Sequence, residues 1–405
     1  MKILPRLFFI FAFVAIFFLI IAYSRGYRLD IKEKSFTPTG ILAITSSPKA
    51  AKIYINNEFK GATDSNINLP PGEYTVEVKK EGYTSWKKTV NLKGEWVLSL
   101  NAVLFPLNPS LSPLTNLGIV KAIAIDDTDK ILIFSENNNL EKDGIYLFEG
   151  NQTPLPILPP LKLILAKKNL PKNIDLKTAS TVFSPDYKEV IIDLKTIEGI
   201  YPSADFSYLL SLDEENKNPL DITTSKQALI DAWEKEKLAI NLKLLNTYPK
   251  DLAKIASDSF HIISFSPDET KILYQAKKTI NLPPIITPPL IAVNQTEESR
   301  QLKKDHIYVY DKKEDKNYLI DILPQNINLL TENLVQWFPD SKHLIFLEAK
   351  KIAVVDYDGT NKQTVYSGPF ENSFFKVNSD SRLIVLTNLN PETNPLPDLY
   401  AVGIR

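Results

Sequence analysis

The sequence predicts an all-β protein in which a small β-sandwich is followed by a β-propeller of about five blades, the whole preceded by one transmembrane helix. Three observations predict it. The chain opens with an uncharged apolar run, Leu7 to Ser24. Residues 40–105 break into short alternating segments separated by turn residues. A four-residue phrase then recurs ahead of apolar segments through the rest of the chain. With 405 residues, there is ample length for more than one core. Lys and Arg number 47 against 48 Asp and Glu, a balance that argues against disorder and against a nucleic-acid partner. The absence of Cys excludes disulfides, thiol nucleophiles and thiolate metal sites, and three scattered His leave little for metal binding or acid–base work.

Residues 1–6 form a short basic terminus carrying Lys2 and Arg6. Residues 7–24 hold six Phe and no charge, and at 1.5 Å per residue about 18 residues make roughly 27 Å of helix, enough to cross a bilayer core. An uncleaved signal anchor and a cleaved signal peptide compete for this segment. Ala22 and Ser24 are small enough for cleavage, but the run exceeds a usual signal core and lacks an Ala-x-Ala ending, which favours the anchor. Arg25, Arg28, Lys32 and Lys34 follow the span, in the linker 25–39. Counted alone they keep the bulk of the chain inside. Long domains translocate largely regardless of such charges, so the count leaves the side undecided.

In residues 40–105, Ile41 to Ile44 and Lys52 to Ile55 are β-rich, and the second stops at Asn56-Asn57, a pair that tolerates positive φ. Leu69-Pro70-Pro71-Gly72 is a turn, Tyr74 to Lys79 alternates with period two, and Glu81-Gly82-Tyr83 turns again. With Thr89 to Leu92 and Trp96 to Leu100, roughly seven strands make a sandwich in which either Trp86 or Trp96 lies in the core. The stretch Ser47-Pro48-Lys49-Ala50-Ala51, Ile53 to Asn56, Gly61-Ala62-Thr63, Leu69 to Tyr74 and Gly82-Tyr83 resembles the PEGA domain, a surface-type β-sandwich. Ala50 stands where that family's name-giving motif has Gly, so a first turn of different shape is expected there. The resemblance brings no catalytic residue with it. Pro106 to Pro113 reads as a stiff connector.

The recurring phrase is Phe183-Ser184-Pro185-Asp186, Phe265-Ser266-Pro267-Asp268, Trp337-Phe338-Pro339-Asp340 and the weaker Val377-Asn378-Ser379-Asp380. Asp126-Asp127 ahead of Lys130 to Ile133 is a degenerate first copy. Pro presets φ, and Ser or Asp accepts from main-chain N–H groups where one strand reverses into the next. Asp340 to Asp380 spans about 40 residues, the size of a four-stranded blade, while the earlier intervals of about 59, 82 and 72 hold insertions. These excesses fall at the Pro-rich stretch 153–173, at 223–257, and at a long loop 279–304. The second has helical periodicity, with Thr224-x-x-Gln227 as a capping box and a further short helix after Pro249. Segments beginning at Ile145, Ser207, Ile307 and Ile352 are third strands. The last copy runs out of chain after Leu399 to Val402, so Leu111 to Leu117 is predicted to pair with Leu399 to Gly403. The phrase in this setting resembles the TolB-like, WD40-like propeller family, over about residues 110–405. The domain ranges are therefore 1–6, 7–24, 25–39, 40–105 and 106–405.

No nucleophile elbow, Walker loop, dinucleotide fingerprint or zinc helix occurs. His261, His306 and His343 read as packed or half-exposed on strands, and Asp356-Tyr357-Asp358-Gly359 reads as a hairpin turn because it lacks the further ligands of a calcium loop. Asp186, Asp268, Asp340 and Asp380 read as turn caps. The alternative makes them channel carboxylates of a glycan-acting enzyme, which requires two converging at roughly 5 to 9 Å. Trp233 lies on the inserted helix with Leu229 and Lys237 on its face, either packed or a docking anchor. The first half of the loop 279–304 is apolar, and either packs or is exposed for interaction. No residue qualifies as catalytic, cofactor-binding or metal-ligating, and no cofactor is called for. Anchor, sandwich and propeller together resemble PEGA-domain surface proteins of bacteria. That resemblance implies a single-pass cell-membrane protein with its soluble domains outside the cytoplasm, non-enzymatic, with a protein or cell-envelope glycan as partner.

Overall fold

A computed structural model describes residues 3–24, 27–30, 35–137, 142–150, 161–197, 205–321, 334–371, 374–389, 391–392 and 395–405, with only the backbone described at 3–7, 22–24, 27–30 and 35–37. Arg25, Lys32, Lys34 and residues 153–160 of the expected first insertion lie outside the described residues. The chain divides into two compact units. One is Met1–Asn108 with Ile286–Glu297 and Arg405, and the other is Pro109–Ile285 with Glu298–Ile404.

In the first unit, helix α1 (Ile3–Ser24) begins inside the segment assigned to the basic terminus. Several of its apolar side chains stand open: Phe8, Phe9, Phe11 and Phe13 are 69–72% exposed. Among the described residues, no helix is long and apolar enough to cross a membrane. The side chains of α1 are described only from Phe8 to Ile21, about 21 Å of rise. The linker is not plain coil, because Tyr27–Asp30 pairs antiparallel with Ser35–Pro38.

The sandwich packs a three-stranded sheet on a four-stranded one. In the smaller sheet Gly40–Ser47 lies between Ser65–Leu69, antiparallel, and Val97–Val103, parallel. The larger runs Glu58–Ala62, Lys52–Ile55, Gly72–Lys79 and Trp86–Leu92 in spatial order. Alternation along each strand turns Leu42, Ile44, Ile53, Val76, Val78 and Trp86 into one core. Trp86 is therefore the core tryptophan, while Trp96 is half-buried with the Lys93 ammonium 4.7 Å from its ring. Ala50 takes an unusual backbone conformation. Its φ of 59° is the left-handed conformation that glycine favours, adopted here with a Cβ in place.

The second unit holds five four-stranded antiparallel sheets among the described residues. The first is Ile119–Ala124, Lys130–Ser135, Gly144–Glu149 and Leu161–Ala166. The second is Ile174–Phe183, Glu189–Thr196, Asp205–Ser211 and Leu220–Asp221. The third is Phe260–Phe265, Lys271–Ala276, Ile307–Asp311 and Lys316–Leu319. The fourth is Val335–Trp337, His343–Glu348, Lys351–Asp356 and Gln363–Tyr366. The fifth is Phe375–Val377, Leu383–Thr387 and Asp398–Gly403, completed by Ser110–Pro113 from the start of the unit. That last pairing sets Leu111 opposite Val402 and Ser112 opposite Ala401, so part of the expected connector is a strand. Leu161–Ala166 likewise corrects the reading of 153–173 as an insertion, because it supplies the first sheet's fourth strand.

Helices α2 (Lys226–Leu245) and α3 (Lys250–Ser259) separate the second and third sheets. The expected capping box does not form. Ser225, not Thr224, precedes the helix without a side-chain cap, and Gln227 bonds Asp231 at 2.9 Å instead. The loop 279–304 is not without structure. Ile280–Asn281 pairs with Gln301–Leu302, and Leu282 and Leu302 are buried beside α3.

Candidate functional site

The repeat phrase builds the same turn each time. Tyr187, Glu269, Ser341 and Ser381, and Asp127 in the degenerate copy, each follow an aspartate and have φ between 52° and 66°. The main chain closes across the turn, as in Tyr187 N–H to Ser184 O (2.9 Å) and Glu269 N–H to Ser266 O (2.7 Å). Ser184 Oγ donates to Asp186 and accepts from Glu189 N–H, and Ser266 Oγ does the same with Asp268 and Lys271 N–H. Burial opposes ionisation of Asp268, but bonds from Ser266 and Thr270 outweigh it and hold this carboxyl well below its ordinary range. Asp340 and Asp380 accept from Lys342 and Arg382 N–H, so all four aspartates bond the main chain or side chains of their own turns.

Charge enters these sheets at a slot that the sequence reading missed. The residue opening the second strand pairs across to the end of the third. Lys130 reaches Glu149 at 3.7 Å, Lys271 reaches Asp311 at 3.5 Å, and His343 Nε2 reaches Asp356 at 3.1 Å. His343 also bonds Asp340 through Nδ1 at 2.7 Å, and is buried. Burial pulls its pKa down, but the two carboxylates overcome that and push it up to about 10, so the ring is an imidazolium with both N–H groups spent. Strand register is what joins these residues, and spacing along the chain alone does not show it. His306 is held locally, with Nδ1 3.1 Å from Lys304 O. Asp356 to Gly359 is a hairpin turn, with Asp358 accepting from Thr360 and Asp356 from Asn361. Among the described residues, no cluster of His, Asp or Glu could hold a metal ion.

Neighbouring sheets are tied by side chains of first strands reaching the next first strand. Lys121 of the first sheet bonds Ala179 O of the second. Lys376 of the fifth bonds Ile125 O at the end of the first sheet's first strand, at 3.1 Å. Gln336 of the fourth spans Phe375 O (3.0 Å) and Val377 N–H (3.1 Å) of the fifth. The third and fourth meet through Asp268 N–H and Ser341 Oγ at 3.0 Å. Between the second and third, the helices intervene. Trp233 is buried against Ile191 and Ile222 of the second sheet's side, and Leu245, Leu252 and Ala256 pack with Phe260 and Tyr274 of the third.

Between its two buried anchors, Trp233 and Leu245, helix α2 leaves Leu238 at 59% and Leu242 at 41% exposure. These two, with Leu245 and α3, wall one side of an open cleft of about 210 Å³. Phe260, His261, Ile262 and Lys277 also line it. The structure thus gives Trp233 the packed role and places His261, exposed, in the lining of this cleft. Exposed leucines i and i+4 on one face were the available signal.

A PEGA domain model matches residues 39–108. No curated protein matches the chain. Among solved structures, the chain is similar to a putative TolB from Agrobacterium tumefaciens, at 13% identity and a TM-score of 0.16, covering 78% of this chain and 89% of that one. It is also similar to a putative 6-phosphogluconolactonase from Bacteroides uniformis, at 12% identity and a TM-score of 0.17, covering 83% of this chain and 89% of that one. A third is a eukaryotic initiation factor, at 8% identity and a TM-score of 0.18, covering 80% and 79%.

Proposed function

We propose that the chain is a non-enzymatic, single-pass membrane protein with both β units outside the cytoplasm. In this reading α1 is the retained anchor and the PEGA-like sandwich a spacer. The five sheets close as a propeller and present a platform to a protein or envelope-glycan partner. One observation carries the anchor: a 22-residue helix whose phenylalanines stand 53–72% exposed. Six such rings in water cost more than a soluble helix recovers, and an apolar surrounding would relieve that cost. The surface setting draws on the PEGA match at 39–108. The platform draws on rigid sheets carrying a helical insertion whose leucines lack cover.

Reporter fusions after Arg405 test the topology. A reporter active only outside the cytoplasm is expected to be active, and the protein to stay with membranes after alkaline washing. Activity only of a cytoplasmic reporter, or release of the chain from membranes, overturns the reading.

A further inference from the structure

The first strand of each sheet has a main-chain edge that its own sheet leaves unpaired. At three joints, Lys121, Lys376 and Gln336 reach main-chain groups of the neighbouring first strand. Among the described residues, no corresponding side chain reaches Phe260–Phe265, the first strand of the third sheet. That strand instead borders the cleft beneath α2.

Its register shows which groups face the opening. Lys277 N–H donates to Ser259 O at 2.8 Å, and His261 lies opposite Gln275. Alternation along an antiparallel ladder then turns Phe260 and Ile262 away from their partner strand. Phe260 N–H agrees, since it donates back into α3 at Ala256 O. The C=O of Phe260 and the N–H of Ile262 are therefore directed away from the partner strand, ahead of the register shift between Ile262 and Ser264. Leu238 and Leu242 line the same cleft as Phe260 and Ile262. The ionisable groups of the cleft wall are His261 and Lys277, with no carboxylate among them.

We infer that this cleft binds an extended peptide segment of a partner protein, added as a strand beside Phe260–Ile262, with an apolar side chain against Leu238 and Leu242 and a carboxylate toward Lys277. Main-chain bonds to an open edge supply affinity and alternate side chains supply selectivity. Lys277 sets the sign of that selectivity, because its own bond, to Ser257 O at 3.3 Å, is long and solvent-facing. This inference rests on the platform reading and names its partner class.

The test uses the full chain in detergent micelles and a fluorescein-labelled seven-residue peptide alternating aspartate with valine and leucine. Saturable binding is expected. An analogue N-methylated at alternate main-chain nitrogens is expected to bind at least about tenfold more weakly, as is the parent peptide with the Leu242→Asp chain. Lys277→Gln is expected to abolish preference over a peptide with lysine in place of aspartate. Leu242 is exposed, so its substitution leaves the fold intact, which an unchanged melting temperature checks. Equal binding of the N-methylated peptide overturns strand addition, and displacement of the peptide by sodium decanoate at equal affinity assigns the cleft to an amphiphile instead. Undiminished peptide binding by Leu242→Asp overturns the cleft. If that chain also still captures a partner from envelope extract, the platform reading survives without it.

Discussion

The two β units bury their apolar side chains in different places. The sandwich keeps its core between its own two sheets, from Leu42 to Leu104. The five-sheet unit places its cores between successive sheets. One is shared by the first and second, one by the third and fourth, and one by the fifth and first. A sandwich sheet therefore needs one partner of its own, whereas the first sheet of the array shares cores with two neighbours. The second and third sheets are the exception. There α2 and α3 supply the apolar contact, with Trp233 on one side and Leu252 on the other. The inserted helices are a joint in the structure.

Substitutions at four positions probe this contrast, beginning with the largest expected effect. His343→Ala strands Asp340 and Asp356 beside the fourth sheet without their shared cation, and is expected to destabilise the array by about 3–5 kcal/mol, read by urea unfolding. The same site predicts a pH dependence. The folded pKa of His343, about 10, lies above its ordinary 6.5. Its stabilisation is thus fully present below 6.5 and is lost as pH rises through about 10. Asp340 runs the other way. Burial opposes its charge, but the bond to His343 prevails and lowers its pKa from 3.8, so its contribution is present above that value and lost as pH falls through the lowered one. Melting temperature against pH is expected to fall at the alkaline end in the native chain, and His343→Gln to flatten that fall.

Trp233→Ala tests the helical joint. The buried indole holds α2 to the second sheet, and its loss is expected to cost about 3 kcal/mol. Amide hydrogen exchange is expected to rise first in α2 and the second sheet and not in the sandwich. Gln336→Ala tests a polar joint. It removes one donor and one acceptor from the fifth sheet's first strand, for an expected loss of about 1–3 kcal/mol. Ala50→Gly is confined to the sandwich and runs in the opposite direction. Relief of the left-handed Cβ is expected to exceed the added chain entropy, raising the stability of the sandwich by about 0.5–1 kcal/mol. A gain that spread to the array's unfolding transition would break the comparison.

Particular elements explain what could be read in advance. The turn aspartates were legible because a turn is a local object: Pro185, Ser184 and Asp186 act on atoms within five residues. The strand Ser110–Pro113 was legible because an incomplete last copy leaves an open edge that something must cover. Leu161–Ala166 was not, since the Pro-rich residues before it masked a fourth strand of ordinary composition. The cleft was not legible either, because its walls come from α2, α3 and a strand whose nearness depends on how the helices pack.

By itself, then, the sequence determined the β-rich units, the repeat turns, the helical character of 226–245 and the apolar opening helix. Each follows from residues whose physical preferences act over a few positions or a single period. Tertiary structure decided the rest. It brought Lys130 to Glu149, Lys271 to Asp311 and His343 to Asp356 through strand register, made Trp233 a joint, and left Leu238 and Leu242 lining one cleft with Phe260 and Ile262. Those pairings join residues about 13 to 40 positions apart, and only the hydrogen-bonded ladder and the packing of one sheet on the next fix their distance.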